Sequence, residues 1–290
     1  MWRPLNDQDN SEIAREESKK GFFHNLKKYK NFIYIFLGIF IIYVLFIVYY
    51  EINEKNVDKD IDCNILNEEC KNYTYPEFDP ERLRIVDANI ENNNYILRSS
   101  VPIFNGMFSE ELLLKEIEKV MKESNLLYKN NYSLYIVSLL KNNEKEGCCY
   151  VSERCYAKKS NIDNQLILGY KDSDPFDLDN KEMMEKLKSL AWNTDDILNK
   201  VENLHKNFVN MKNTIFIIHC RRGRDRTGEY VGAYRMIKKK HSFNSVMKSN
   251  SEIGTLRDPF VKMQKWICLY LEKVLNYPNL GCYDYRTDRL

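Results

Sequence analysis

The chain has 290 residues and a formal net charge of +2, with both signs of charge spread along it. A balance this close to zero gives no global case for nucleic-acid binding. Once a polar tail and one apolar segment are set aside, a single domain of ~200 residues is left, enough to bury a real core.

Residues 1–31 are polar and charged and are expected to form a tail. Residues 32–50 read FIYIFLGIFIIYVLFIVYY, nineteen residues without a charge. At about 1.5 Å per residue a helix of this length spans ~30 Å, the thickness of a bilayer core. The stretch is too long and starts too late for a cleaved signal peptide, and Tyr49, Tyr50 and Glu51 offer no small-residue cleavage site. It reads as a signal-anchor, one transmembrane helix. Lys19, Lys20, Lys27, Lys28 and Lys30 precede it, while only Lys55 and Lys59 follow closely, among acidic residues. The positive-inside rule then places the N-terminus in the cytosol and the C-terminal domain in a lumen or outside the cell. A domain facing the cytosol is the alternative. Asn72-Tyr73-Thr74 and Asn131-Tyr132-Ser133 are glycosylation acceptor triplets, which lean toward the first topology.

Residues 51–79 are expected to form a stalk and 80–290 the folded domain. Within it the pattern predicts a strand over 94–101, before Pro102. A helix over 109–124 follows, with Ser109 as N-cap before Glu110 and Glu111. Strands are predicted over 132–140 and 165–170, then a long helical stretch over 181–209 broken near Trp192, Asn193 and Thr194. The β-branched and aromatic run 214–219, TIFIIH, is a buried strand. Helices over 226–240, 242–252 and 258–275 complete the chain. Alternating strands and helices make an α/β domain with a central mixed sheet flanked by helices.

All eight cysteines lie after the apolar segment. The clustering of Cys148, Cys149 and Cys155 suits disulfides in an oxidising compartment. Small buried hydrophobes in a reduced domain are the competing reading. With four histidines in the whole chain and no Cys-x-x-Cys pair, no metal site is expected. No cofactor is expected either.

The buried strand runs into His219-Cys220-Arg221-Arg222-Gly223-Arg224-Asp225-Arg226-Thr227-Gly228 and then a helix. Such a loop can point successive N–H groups inward while the helix adds its positive end, which makes a cradle for a phosphoryl dianion. Gly223 permits a backbone that a side chain would resist. That field favours thiolate at Cys220, and thiolate is the nucleophile that attacks phosphorus. Arg226 can fork two hydrogen bonds onto the phosphoryl oxygens. Thr227 can hydrogen-bond the sulfur when it leaves. The run resembles the His-Cys-x5-Arg-Thr signature of the protein tyrosine phosphatase superfamily, in its atypical dual-specificity and lipid-phosphatase-like members. Leu97-Arg98-Ser99-Ser100-Val101-Pro102 is similar to the Arg-Ser-x-x-Pro segment of atypical members. The resemblance implies a phosphoric monoester hydrolase working through a phosphocysteine, which the apolar segment 32–50 would anchor to a membrane. In it His219 would support the cysteine's backbone, and the loop from Arg221 to Arg226 would bind phosphate. A phosphate-binding module without turnover is the alternative.

Many family members carry an acid on a loop about thirty residues before the cysteine. No aspartate stands at that distance here. Asp174 and Asp177 follow a strand in the right topological place but lie early, and they are the alternative general acid if an elongated helix displaces them; Asp172 to Asp179 also reads as a turn with Asp179 capping a helix. The Asp225-Arg226-Thr227 ending resembles loops of myotubularins, Sac-type phosphatases and some bacterial lipid and tyrosine phosphatases, in some of which the loop aspartate is the acid. A salt bridge is the other role open to Asp225. Arg221 and Arg224 resemble the paired lysines of tensin-homologue lipid phosphatases. With Arg222 they suit a polyanionic phosphorylated partner: a phosphoprotein, phosphoinositide or phosphoglycan.

Overall fold

The computed structural model describes residues 61–157, 160–278 and 280–282, and, nearer the N-terminus, residues 34, 35, 38–41, 43 and 44. The chain divides into two units, Met1–Ile61 and Asp62–Leu290. In the first, the described residues near the N-terminus are helical. Most of the expected anchor, 32–50, lies outside the described residues. Among the described residues no helix is long and apolar enough to cross a membrane.

The second unit is built on a five-stranded sheet in the order β1-β2-β7-β5-β6. Its strands are β1 (Arg84–Asn89), β2 (Asn94–Ser99), β5 (Ser133–Ser138), β6 (Asn161–Asn164) and β7 (Thr214–His219). A small hairpin, β3 (Ile103–Phe104) and β4 (Met107–Phe108), stands apart. Only β1 runs antiparallel to its neighbour, so the sheet is mixed, as expected. β7 lies between β2 and β5 and all six of its residues are buried, as a strand covered on both faces must be.

Alternation along the central strands sorts the core. Ile96, Val137, Phe216 and Ile218 face one large cluster. Tyr95, Leu97, Leu134, Ile215 and Ile217 face the other side. There helix α1 (Glu110–Glu123) lays Leu113, Ile117 and Met121 on the sheet, one stripe at helical spacing. Ser109 caps it, its hydroxyl accepting from the Leu112 N–H at 3.3 Å. Helix α2 (Gly147–Tyr156) packs with the hairpin. The opposite face is covered by α3 (Asn180–Ser189), α4 (Ile197–Asn210), α5 (Asp225–Lys239), α6 (Phe243–Ser251) and α7 (Asp258–Lys273). Left-handed residues Leu190 and Asp196 separate α3 from α4, close to the break expected at Trp192.

Three expectations differ from the structure. Residues 165–170 alternate like a strand, with Ile167 buried between exposed Leu166 and Leu168, but form none. Their donors go elsewhere: the Asp195 carboxylate accepts from the Leu168 and Gly169 N–H groups, and the Pro259 carbonyl from that of Tyr170. The sheet ends instead at β6. Segment 62–79, expected as stalk, belongs to the folded unit, because disulfides join Cys63 to Cys155 and Cys70 to Cys148. A third disulfide joins Cys268 to Cys282, leaving Cys149 and Cys220 free. Strand β1 and helix α2 had no expected counterpart.

Asn94 fastens the sheet end opposite the loop after β7. Its amide donates to the Phe208 and Met211 carbonyls, both at 2.7 Å, and its oxygen accepts from the Thr214 N–H at 2.9 Å. It is wholly buried. Asn94→Ala strands three backbone groups and should cost about 2–4 kcal/mol, read as a lower urea midpoint. A loss below about 0.5 kcal/mol would mean that these groups are satisfied without Asn94.

Candidate active site

The loop 220–224 leaves the C-terminal end of central β7, where parallel sheets place their ligands, and ends at the first turn of α5. It is curled against the end of β2. Gly223 has φ +63°, and a Cβ there would lie 2.5 Å from the Ser99 carbonyl oxygen and 2.7 Å from the Ser100 nitrogen. No other residue type fits. Arg98 sits beneath, buried. Its guanidinium donates to the Gly223 carbonyl at 3.0 Å and to Asn250 Oδ1 at 2.8 Å. Burial, and next the charge of Arg235, push Arg98 down to about 10, so it stays charged at neutral pH. Asn250 in turn donates to the Gly228 carbonyl at 3.2 Å, which joins β2, the loop and α5. Arg82 donates to the Arg222 carbonyl from outside.

Cys220 lies at the base of a pocket of about 360 Å³. Six cations line the pocket: Lys145, Arg221, Arg222, Arg224, Arg226 and Arg257. Two carboxylates, Glu146 and Asp225, oppose them. Glu146 takes Arg226 in a fork, with Oε2 at 2.8 Å from Nη1 and Oε1 in contact with Nη2. Arg226 Nη1 also donates to the Leu139 carbonyl. Of the five N–H donors of a guanidinium, these contacts use three. Among the described residues the Nε–H and one Nη2–H are left as an adjacent pair, the geometry that receives two phosphoryl oxygens. Burial works against the Arg226 charge, but Glu146, Cys220 and Asp225 outweigh it and hold the pKa above the usual arginine value. Burial likewise works to raise the Glu146 carboxyl, and Arg226 with the Lys141 N–H outweighs it, so that carboxyl lies below its ordinary value.

The other expected residues are placed as follows. His219 is fully buried and does not line the pocket, its Nε2 3.0 Å from Glu153 Oε2 without hydrogen-bond angles. The His219 carbonyl accepts from the Leu139 N–H at 2.8 Å, which fixes the backbone before Cys220. Thr227 is buried in the first turn of α5 and its hydroxyl has no protein partner among the described residues. Asp225 lines the pocket inside an ion-pair network. Its carboxylate accepts from the Arg257 N–H at 3.0 Å, from Arg257 Nε at 2.9 Å and from Arg224 Nη2 at 3.1 Å. Asp174 and Asp177 do not line the pocket. Asp174 pairs with Lys265 and caps the turn Pro175–Asp177. Asp179 caps α3, accepting from the Glu182 N–H at 2.9 Å.

Glu146, Lys145 and Arg257 were not visible as site residues in the sequence. Glu146 sits in a polar run, Asn142 to Glu146, that reads as an ordinary loop. Arg257 lies 32 positions from its partner Asp225. Nothing local marks either, since the fold alone brings them to the loop.

No protein-family model and no curated protein matches the chain. The solved structures similar to it are tyrosine and dual-specificity phosphatases. The chain resembles protein tyrosine phosphatases. TpbA of P. aeruginosa, in complex with pTyr, is 10% identical, with 63% of this chain and 88% of that chain covered and a TM-score of 0.32. A leucine rich repeat and phosphatase domain containing protein from Entamoeba histolytica is 12% identical, with 67% and 96% covered and a TM-score of 0.33. Kinase associated phosphatase, with its catalytic site cysteine replaced by serine, is 12% identical, with 71% and 99% covered and a TM-score of 0.35. Likenesses of this size carry no functional weight; the geometry of the loop does.

The depressed Glu146 carboxyl sets a pH dependence. A carboxyl held low when folded contributes stability above its unfolded value and loses it as pH falls through the folded one. The contribution should therefore be full at neutral pH and fade only below the unfolded value of ~4.3. The melting-temperature difference between wild type and Glu146→Gln, followed from pH 7 downward, should shrink below that point. A difference that stays constant throughout the acid range would remove the Glu146–Arg226 pair from the account.

Proposed function

We propose that this protein is a cysteine-dependent phosphatase that cleaves phosphate monoesters through a phosphocysteine intermediate. The observation that carries the reading is buried Cys220 in the lining of a cationic pocket, together with an Arg226 whose Nε–H and one Nη2–H have no acceptor among the described residues. Cys220 thiolate attacks phosphorus, forming the S–P bond as the P–O bond to the leaving group breaks. A proton from an acid completes the leaving alcohol. Water then attacks phosphorus while giving a proton back to that acid's carboxylate, the S–P bond breaks, phosphate is released and the thiolate is regenerated. The loop N–H groups and the start of α5 stabilise the charge that spreads over the equatorial oxygens. Asp225 is the acid we assign, because it lines the pocket, within its ion pairs to Arg224 and Arg257, while Asp174 and Asp177 do not line it.

The substrate class follows from the charge count. The phosphoryl group being cleaved is served by the loop N–H groups and Arg226. Lys145, Arg221, Arg222, Arg224 and Arg257 exceed what Asp225 and Glu146 neutralise. We therefore assign a polyanionic phosphorylated substrate, met by a domain anchored to a membrane and facing a lumen or the exterior. The three disulfides support the oxidising compartment. The acceptor asparagines Asn72 and Asn131 are both exposed. In that compartment a phosphoprotein or phosphoglycan is the substrate expected.

Cys220→Ser should lose turnover of p-nitrophenyl phosphate by on the order of 10³-fold or more while still binding inorganic phosphate. Arg226→Lys should be similarly impaired, since a point charge cannot replace the fork. Phosphate binding by wild type with no turnover of any ester would assign a binding module instead. Asp225→Asn should lose ~10²–10⁴-fold with a poor leaving group and much less with a good one. Equal losses with both leaving groups would leave Asp225 only its ion-pair role. Wild type should prefer doubly to singly phosphorylated peptides or sugars, and Arg257→Ala should reduce that preference about tenfold. For topology, the C-terminal domain should resist added protease in sealed microsomes; its digestion would reverse the assignment.

A further inference from the structure

Helix α2 carries two acidic groups that reach the loop, and they sit seven residues apart. Glu146, at its N-cap, grips Arg226; Glu153, two turns on, meets His219. Seven residues bring a helix back to the same face. The same spacing separates Cys148 from Cys155 on the roughly opposite face. Those two cysteines are disulfide-bonded to Cys70 and Cys63. α2 is thus held from behind by two covalent links while its front presents two carboxylates to the residues on either side of Cys220.

The Glu153 contact has no role in the phosphatase reading above. Both Glu153 and His219 are 0% exposed. Ser138, which pairs with His219 across β5 and β7, donates to Glu153 Oε2 at 3.2 Å. Glu153 Oε1 and His219 Nδ1 have no other partner among the described residues. Burying a carboxylate is unfavourable unless it is paired, and here the imidazole and one hydroxyl are what it has. The group is dry, immediately precedes Cys220 in the chain, and lies on the face of β7 that α2 covers. A carboxylate against an imidazole fixes the ring's orientation and with it the backbone that bears it.

We propose that Glu153 is a positioning residue for Cys220, acting through His219, and that the disulfides Cys63–Cys155 and Cys70–Cys148 hold α2 where this contact is made. Fixing the His219 backbone aims the next side chain, Cys220, at the centre of the N–H cradle. The field of the loop then acts on the sulfur in the one arrangement that exposes it to phosphorus. The proposal rests on Cys220 as the nucleophile of the phosphatase reading, but its primary readout does not need turnover.

The test measures site-specific alkylation of Cys220 by iodoacetate at fixed pH, followed by peptide mass spectrometry so that Cys149 is counted separately. It is done on the full chain, beside kcat for p-nitrophenyl phosphate and Kd for inorganic phosphate. Glu153→Gln should slow Cys220 alkylation and lower kcat, each by roughly 10–100-fold, and leave the phosphate Kd within about threefold. Glu153→Asp should recover part of both losses and serves as the folded variant if the glutamine does not fold. The Cys63→Ser, Cys155→Ser double variant should reproduce the Glu153→Gln pattern in milder form. The Cys268→Ser, Cys282→Ser variant, with its bridge away from α2, should alkylate at the wild-type rate. Wild-type alkylation and kcat in Glu153→Gln would overturn the positioning role. Equal losses from opening either bridge would overturn the clamp. Absence of turnover in wild type would count against the phosphatase reading alone, since the alkylation rates still decide Glu153.

Discussion

At the end of β2 a peptide group occupies the space that any side chain at position 223 would need. A Cβ at 223 would lie 2.5 Å from the Ser99 oxygen, which requires a glycine in the left-handed region, and much else follows from that close packing. It turns the loop back over the sheet edge, so the Gly223 carbonyl points down at Arg98 while the pocket side stays open. It also brings the chain to the first turn of α5 after few residues, which aims the helix N-terminus at the site. The surroundings are built to keep the contact closed. Arg98 is buried at a cost that only its acceptors repay, and Asn250 ties those acceptors to α5. The six buried residues of β7 make the strand that supports the loop one of the least mobile parts of the domain.

The pocket's charge is arranged by the same economy. Each carboxylate on the wall is shared. Glu146 holds Arg226 and accepts from the Lys141 N–H at 3.0 Å, while Asp225 holds Arg224 and Arg257 together. Like charges at this spacing repel, and the two acids set the direction in which each arginine points. Arg226 is turned so that its outer edge remains free. Arg257, 63% exposed at its side chain, is held at the pocket by Asp225. An anion in the pocket would therefore meet Arg226 held by Glu146 and Arg224 and Arg257 held by Asp225.

The sequence shows the strand–loop–helix unit at once, because β7, Gly223 and Arg226 are adjacent in the chain and each has a local signature. It shows the two-sided core through alternation in β2 and β7. It does not show the partners of the loop. Glu146, Glu153 and Arg257 lie 80, 66 and 32 positions from the residues they hold, where the distance of 66 is the difference between 219 and 153. A glutamate in a polar run and an arginine before a helix look like solvated surface until the topology brings them in. Residues 165–170 failed for a related reason. Alternation reports which side chains are buried, and not where the backbone donors go, which here is the Asp195 carboxylate. The fold boundary at residue 62 was hidden because two disulfides create it, and no spacing rule pairs Cys63 with Cys155.

The two free cysteines bear on the proposed pairing of an oxidising compartment with a thiol nucleophile. Cys149 adjoins the bridged Cys148 on α2, and its sulfur contacts the Tyr73 hydroxyl at 3.5 Å. Burial pushes that thiol up to about 11, with Tyr73 and Arg221 offsetting only part of the effect. A thiol held in that form is a poor participant in exchange. Cys220 is also buried, but it lines a pocket with the guanidinium groups of Arg221, Arg222, Arg224, Arg226 and Arg257. The proposed compartment and the proposed chemistry therefore meet on one helix. α2 presents bridged cysteines on one side, keeps its spare cysteine inert, and turns its carboxylates toward the loop. In such a design the disulfides do more than fasten an N-terminal segment: they fix the distance between the acids of α2 and the cysteine loop, and so tie the geometry of the site to the redox state of its surroundings.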